Sequence, residues 1–113
     1  MVRLVLLCAA LAHPAHAFER ITDGRAFARL IEGRALTRMG ITLTVTPAGE
    51  ISGHGMGRPV SGAWLWSDGY FCRTLAWGDR DLGYNCQAVL QNGDRLRFVS
   101  DHGTGDHADF RLR

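Results

Sequence analysis

The chain has 113 residues, with 13 basic and 11 acidic side chains and a formal net charge of +2. Every basic residue is an arginine, and the arginines are scattered among carboxylates, which argues against a nucleic-acid-binding patch. This length limits the chain to one domain with a small core and excludes a cofactor domain beside a substrate domain.

Arg3 opens a segment whose apolar run, Leu4 to Leu11, is followed by Ala15-His16-Ala17, a small-x-small cleavage site. The pattern predicts a signal peptide over residues 1–17 and a periplasmic or secreted protein. The run is too short to span a bilayer, and no later apolar segment is long enough, so no transmembrane segment is expected after cleavage. Cys8 follows Leu7, where lipid attachment would call for a small residue. Cleavage leaves residues 18–113 as a single domain, with Cys72 and Cys86 as an even pair in an oxidising compartment.

After a lead-in from Phe18 to Thr22, Asp23 is a fair N-cap for a short helix. Ala26, Phe27, Leu30 and Ile31 recur on one face of it, and Gly33 is its left-handed C-cap. The apolar stripe suits a plug or lid on a sheet. Arg34 to Thr37 reads as a short strand. Ile41 to Thr46 alternates aliphatics with threonines, Pro47-Ala48-Gly49 turns the chain, and Glu50 to Gly53 begins the return. The glycine-rich His54–Pro59 segment reads as a loop or a bulged, tightly bent strand. Val60 to Trp66 resumes as a strand with Gly62, Trp64 and Trp66 on one face, and Ser67-Asp68-Gly69 makes a turn.

Residues 70–77 and 84–91 read as paired strands around a polar turn at 78–83. If Cys72 stands opposite Cys86, then Thr74 stands opposite Tyr84. Both thiols share one face, and directly opposed residues about 4.5–5.5 Å apart are within reach of a disulfide. With no Cys-x-x-Cys spacing, the pair reads as a structural staple rather than a redox or metal site. Tyr70, Cys72, Thr74 and Ala76 form one face of the first strand, and Phe71, Arg73, Leu75 and Trp77 the other. One of these faces is interior; the other needs cover, for which the N-terminal helix is the candidate. Asn92-Gly93 signals a hairpin. Matching of apolar faces favours a three-residue loop that sets Leu90 opposite Leu96. Asp101 to Gly105 reads as a loop, and Ala108, Phe110 and Leu112 alternate in a last strand. The expected fold is mainly β: a small antiparallel meander, barrel or strongly curled sheet of about seven strands with one short N-terminal helix.

Candidate chemistry is sparse. His102, Asp106 and His107 lie in an acidic, histidine-bearing loop that could hold a divalent ion but reads first as a solvated hairpin loop, so no metal is expected. The serines occupy no nucleophile-elbow context. Gly103 to Ala108 matches a loose G-x-G-x-x-A dinucleotide pattern, yet no crossover helix is expected after it. Hence no catalytic residues and no cofactor are expected. Trp64, Trp66, Tyr70, Trp77 and Tyr84 either fill the core or line an apolar ligand pocket in a barrel mouth.

The run Gly62-x-Trp64-x-Trp66-x-x-Gly69-Tyr70-Phe71-Cys72-Arg73, then Gly83-Tyr84-Asn85-Cys86-Gln87, then Leu96-Arg97-Phe98-x-Ser100-Asp101-x-Gly103, resembles a family of small secreted bacterial proteins of unknown function. Some members carry the label dihydrodipicolinate reductase, which would imply a nicotinamide cofactor; the pattern here contains no βαβ unit. More loosely, the chain is similar in architecture to periplasmic β-barrel inhibitors and lipocalin-like barrels. The leading expectation is an exported, non-enzymatic barrel that binds a small apolar ligand or a cell-envelope protein. The alternative is an inhibitor of an exported protease or lysozyme, using the His54–Pro59 loop or the N-terminal segment. The reductase activity ranks last.

Overall fold

The computed structural model describes residues 17–113, so the expected signal peptide lies, but for Ala17, outside the described residues. The elements in order are β1 (Glu19–Ile21), α1 (Gly24–Ile31), β2 (Ala35–Arg38), β3 (Ile41–Val45), β4 (Glu50–Gly55), β5 (Arg58–Ser67), β6 (Tyr70–Trp77), β7 (Arg80–Asn92), β8 (Arg95–Val99), α2 (Ser100–Gly103) and β9 (His107–Leu112). Each strand from β2 to β9 pairs antiparallel with the next, and β9 returns to β2 through Leu36 opposite Leu112. The result is a closed eight-stranded up-and-down barrel, which leaves no long unpaired edge. The expected meander is therefore present, with two strands and one helix more than expected.

The additional strand, β1, lies along β7 at Val89 to Gln91, beyond the point where β6 ends. The additional helix, α2, does the same job on the other edge of β7, where β8 ends. Its Asp101 and His102 take left-handed backbone angles, with φ of 55° and 54°. Asn85 holds that turn: its Nδ2 donates to Asp101 Oδ1 at 2.8 Å, and its Oδ1 accepts from the Asp101 amide at 2.9 Å.

Alternate side chains along each strand face inward. Leu36, Val45, Ile51, Phe71, Val89, Leu96, Phe98 and Leu112 form the buried core with Phe27 and Ile31 of the helix. Asp23 caps α1, its Oδ1 accepting from the Arg25 amide at 2.9 Å. Phe27 and Ile31 follow at i and i+4, and both are fully buried. The Phe27 ring lies 5.3 Å from Trp64, 5.2 Å from Trp66 and 5.3 Å from Phe71, all inward-facing. The helix thus stoppers one end of the barrel. It does not cover the outer face of β6, as the strand pattern had suggested. Closing the sheet into a barrel gathers the apolar side chains on the inner face, and the helix buries Phe27 and Ile31 against them at one end.

Three local expectations change with closure. The His54–Pro59 segment is a tight hairpin, not a loop: Gly55 pairs with Arg58 across a two-residue turn, Met56-Gly57, with φ of 49° and 78°. Two positive φ values match the twist of the flanking strands. The β7–β8 hairpin pairs Asn92 with Arg95 and Leu90 with Arg97, so Gly93-Asp94 forms the turn and Val89 stands opposite Phe98 inside the barrel. Val89 is fully buried, and that burial sets the register. Finally, β7 begins at Arg80, and only Gly78-Asp79 turns the chain. Cys72 pairs with Cys86 and Thr74 with Tyr84, as expected, but Ala76 then pairs with Asp81. β7 therefore carries a bulge around Leu82-Gly83, where Gly83 supplies a φ of 77°. Cys72 and Cys86 are joined as a disulfide on the outer face of this pair.

Candidate ligand-binding cavity

The inner face of β6 runs from the stoppered end to the open one as Phe71, Arg73, Leu75 and Trp77. Phe71 packs on the helix plug. Beyond it lies a cavity of about 170 Å³ whose walls include Leu36, Val45, Ile51, Phe98, Arg73 and Gln87. A second cavity of about 250 Å³ continues toward the open end, lined by Ile41, Gly55, Met56, Val60, Trp77 and Leu82. The two share Leu43, Leu75 and Phe110 as a common wall, so they adjoin along the barrel axis. Together they reach the small end of the size range of ligand pockets, about 300–1,000 Å³. The outer cavity has only apolar side chains and glycine in its wall; the inner one has two polar groups.

Those two groups differ in how they are satisfied. Gln87 is 9% exposed and its Nε2 donates to Ser100 Oγ at 3.1 Å. Arg73 is half-buried, and its Nη1 donates to Gly83 O at 3.0 Å. That carbonyl is presented by the β7 bulge, so the irregularity in the ladder supplies the guanidinium with a partner. Among the described residues Arg73 forms no ion pair. Burial away from water holds its pKa below the ordinary arginine value. Arginine stays charged at any ordinary pH, so the cavity contains a fixed, partly desolvated positive charge.

The open end has an apolar rim with cations behind it. Trp77 Nε1 donates to Gly55 O at 2.7 Å, which fixes the indole across the β4–β5 hairpin. Arg58 lies 5.0 Å from the Trp77 ring centroid, and Arg38 lies 5.6 Å from that of Phe110. Met56 and Leu82 reach the same rim, 65% and 44% exposed. Met39 stands beside them at 91% exposure, on a turn whose Gly40 O accepts from the Met56 amide at 2.8 Å. Asp79 and Asp81 lie at the β6–β7 turn on the same end.

Of the five aromatic candidates, Trp77 lines the cavity. Trp64 and Trp66 face inward but pack on Phe27 at the stoppered end. Trp64 Nε1 donates to Thr46 O at 2.9 Å, within the barrel wall, and Trp66 Nε1 to Thr22 O at 3.2 Å, tying the segment ahead of the plug to the barrel. Tyr70 is on the outer face, between the Arg20 guanidinium at 4.5 Å and the His102 ring at 4.7 Å. Tyr84 is outside too, 63% exposed, with its hydroxyl 3.3 Å from the Cys86 sulfur. The loop candidates are likewise dispersed: His102 is edge-on to Tyr70, the Asp106 carbonyl accepts from the Ser100 amide at 2.9 Å, and His107 begins β9 opposite Val99. Among the described residues no group of three or more His, Cys, Asp and Glu side chains is placed to hold a metal ion. Asp109, outward-facing between Ala108 and Phe110, forms a two-pronged ion pair with Arg97 at 2.8 and 3.0 Å. That hydrogen-bonded contact holds the Asp109 carboxyl below its ordinary pKa.

Among the cavity residues not singled out from the sequence are Arg73, Leu75, Leu43, Phe110 and Gln87. One signal did point to Arg73: it shares a face with Phe71, Leu75 and Trp77, and a charge on an apolar face is unusual. No protein-family model, no curated protein and no solved structure matches the chain.

Proposed function

We propose that this protein binds a small apolar ligand inside its barrel, taken up through the end rimmed by Met56, Trp77 and Leu82. The observation that carries this reading is the pair of adjoining cavities behind that rim, sharing Leu43, Leu75 and Phe110. A barrel stoppered at one end and lined with aliphatic and aromatic side chains provides the burial that an alkyl chain seeks. We place this activity outside the cytoplasm. A disulfide between Cys72 and Cys86 suits an oxidising compartment. Among the described residues no helix is long and apolar enough to cross a membrane.

Calorimetric titration with 1-octanol tests the reading. Saturable one-to-one binding is the expected result. The variant Leu75→Trp, which fills the shared wall, should weaken it at least tenfold while the protein keeps a cooperative melt. Absence of saturable binding to the wild-type protein, or full affinity in Leu75→Trp, would contradict it.

A further inference from the structure

We infer that the ligand is a single-chain anionic amphiphile whose head group is held by Arg73, with its alkyl chain running toward Trp77. This deepens the reading above and rests on it. Four observations converge on it.

The first is position. Arg73 is half-buried on the wall of the inner cavity, between Phe71 at the plug and Leu75 at the shared wall, and its guanidinium reaches the exposed Gly83 carbonyl. Second, its charge is unmatched. No ion pair to Arg73 exists among the described residues, and its one hydrogen bond goes to the neutral Gly83 carbonyl. The carboxylate on the neighbouring network, Asp101, is engaged instead with Asn85, the residue directly opposite Arg73. A guanidinium carries five N–H donors in a planar fork, so several remain for a bidentate anion.

The third observation is the backbone that supports it. The β7 bulge at Leu82-Gly83 turns the Gly83 carbonyl to Arg73 and sends Leu82 to the rim of the outer cavity. One irregularity thus anchors the cation and contributes to the apolar entrance. Fourth, the charges at the entrance match in sign. Arg58 and Arg38 lie over Trp77 and Phe110, the two aromatic rings of the outer cavity, and attract an anion toward the opening. Asp79 and Asp81 at the β6–β7 turn oppose this attraction but do not line either cavity. Cavities of about 170 and 250 Å³ accommodate one short alkyl chain and exclude a two-chain lipid.

The test compares octanoate, 1-octanol and octylammonium on the disulfide-bonded protein by calorimetry at neutral pH. Octanoate should bind about tenfold or more tightly than octanol, because a charge-assisted hydrogen bond contributes more than a neutral one. Octylammonium should bind most weakly. Arg73→Met, which substitutes an apolar side chain of similar length, should abolish the preference, read as the ratio of octanoate to octanol affinity in the same variant. A cooperative melt of the variant reports that the barrel is intact. Arg73→Lys should keep part of the preference. Equal affinity for octanoate and octanol in the wild-type protein would overturn the assignment of the head group and leave apolar binding standing. An undiminished octanoate preference in Arg73→Met would also overturn it. If none of the three compounds binds, both this inference and the reading beneath it fail.

Discussion

Replacing Phe27 with alanine is expected to destabilise the protein by about 3–5 kcal/mol, the usual cost of deleting a buried aromatic ring. Phe27 is fully buried and its ring meets Trp64, Trp66, Phe71 and, at 6.4 Å, Phe98. Those four rings come from β5, β6 and β8, so the plug packs at once on the paired strands β5 and β6 and on β8 across the barrel. The surroundings cannot collapse into the space, because the barrel wall is held by its own hydrogen-bond ladder. A domain of this size has a total stability of about 5–15 kcal/mol, so the loss is a large fraction of it. Each kcal/mol lowers the melting temperature by about 4–8 °C, which predicts a fall of at least about 12 °C. Thermal unfolding followed by circular dichroism measures it. A second consequence is specific to the plug: Trp66, whose Nε1 bonds Thr22 O ahead of the helix, should emit at longer wavelength as water reaches it. A fall of less than about 4 °C, the shift of a roughly 1 kcal/mol change, would show that the helix does not stopper the barrel.

Breaking the Cys72–Cys86 disulfide ranks second. The bond closes a loop with a sequence separation of 14, and constraint of the unfolded chain at that length is worth about 3 kcal/mol. The Cys72→Ser variant should therefore melt about 12–24 °C lower than the parent. The bridge also joins the register partners just ahead of the β7 bulge, so its loss frees the ladder to slip there. A slip would remove the Gly83 carbonyl from Arg73, and the octanoate preference should diminish along with the melting temperature. An unchanged melting temperature in Cys72→Ser, or under reductant, would contradict the staple.

Much of the wall of the barrel was legible in the alternation of its strands. Ile41 to Val45, Val60 to Trp66 and Tyr70 to Trp77 each announce an inner and an outer face, and the Cys72–Cys86 and Thr74–Tyr84 pairings follow from one assumed register. The helix was legible from Asp23, Phe27, Ile31 and Gly33. What eluded sequence reading depends on closure. Glu19–Ile21 is too short to show a period and is a strand because β7 outlasts β6. Asp101 and His102 form a turn of left-handed backbone because Asn85, on a different strand, holds it. The bulge at Leu82-Gly83 looks like a polar turn until both strands are seen to continue past it. The cavity follows the same logic. Phe71, Arg73, Leu75 and Trp77 were visibly on one face, but whether that face meets a helix, a neighbouring strand or a void depends on the opposite wall. Leu43 and Phe110 supply that wall. Trp64 and Trp66 are of the same chemical type as Trp77, and only their distance from the plug separates core from cavity.

The central claim is that the barrel is filled at the Phe27 end and open to an apolar ligand at the Trp77 end. Mapping amide, methyl and indole resonances by nuclear magnetic resonance during titration with octanoate tests it most directly. The account predicts shifts at the Leu43 and Leu75 methyls, the Phe110 amide and the Trp77 indole N–H, while the Trp66 indole and the Ile31 methyls stay in place. Shifts confined to the outer face around Tyr70 and Tyr84, or none at all, would contradict it.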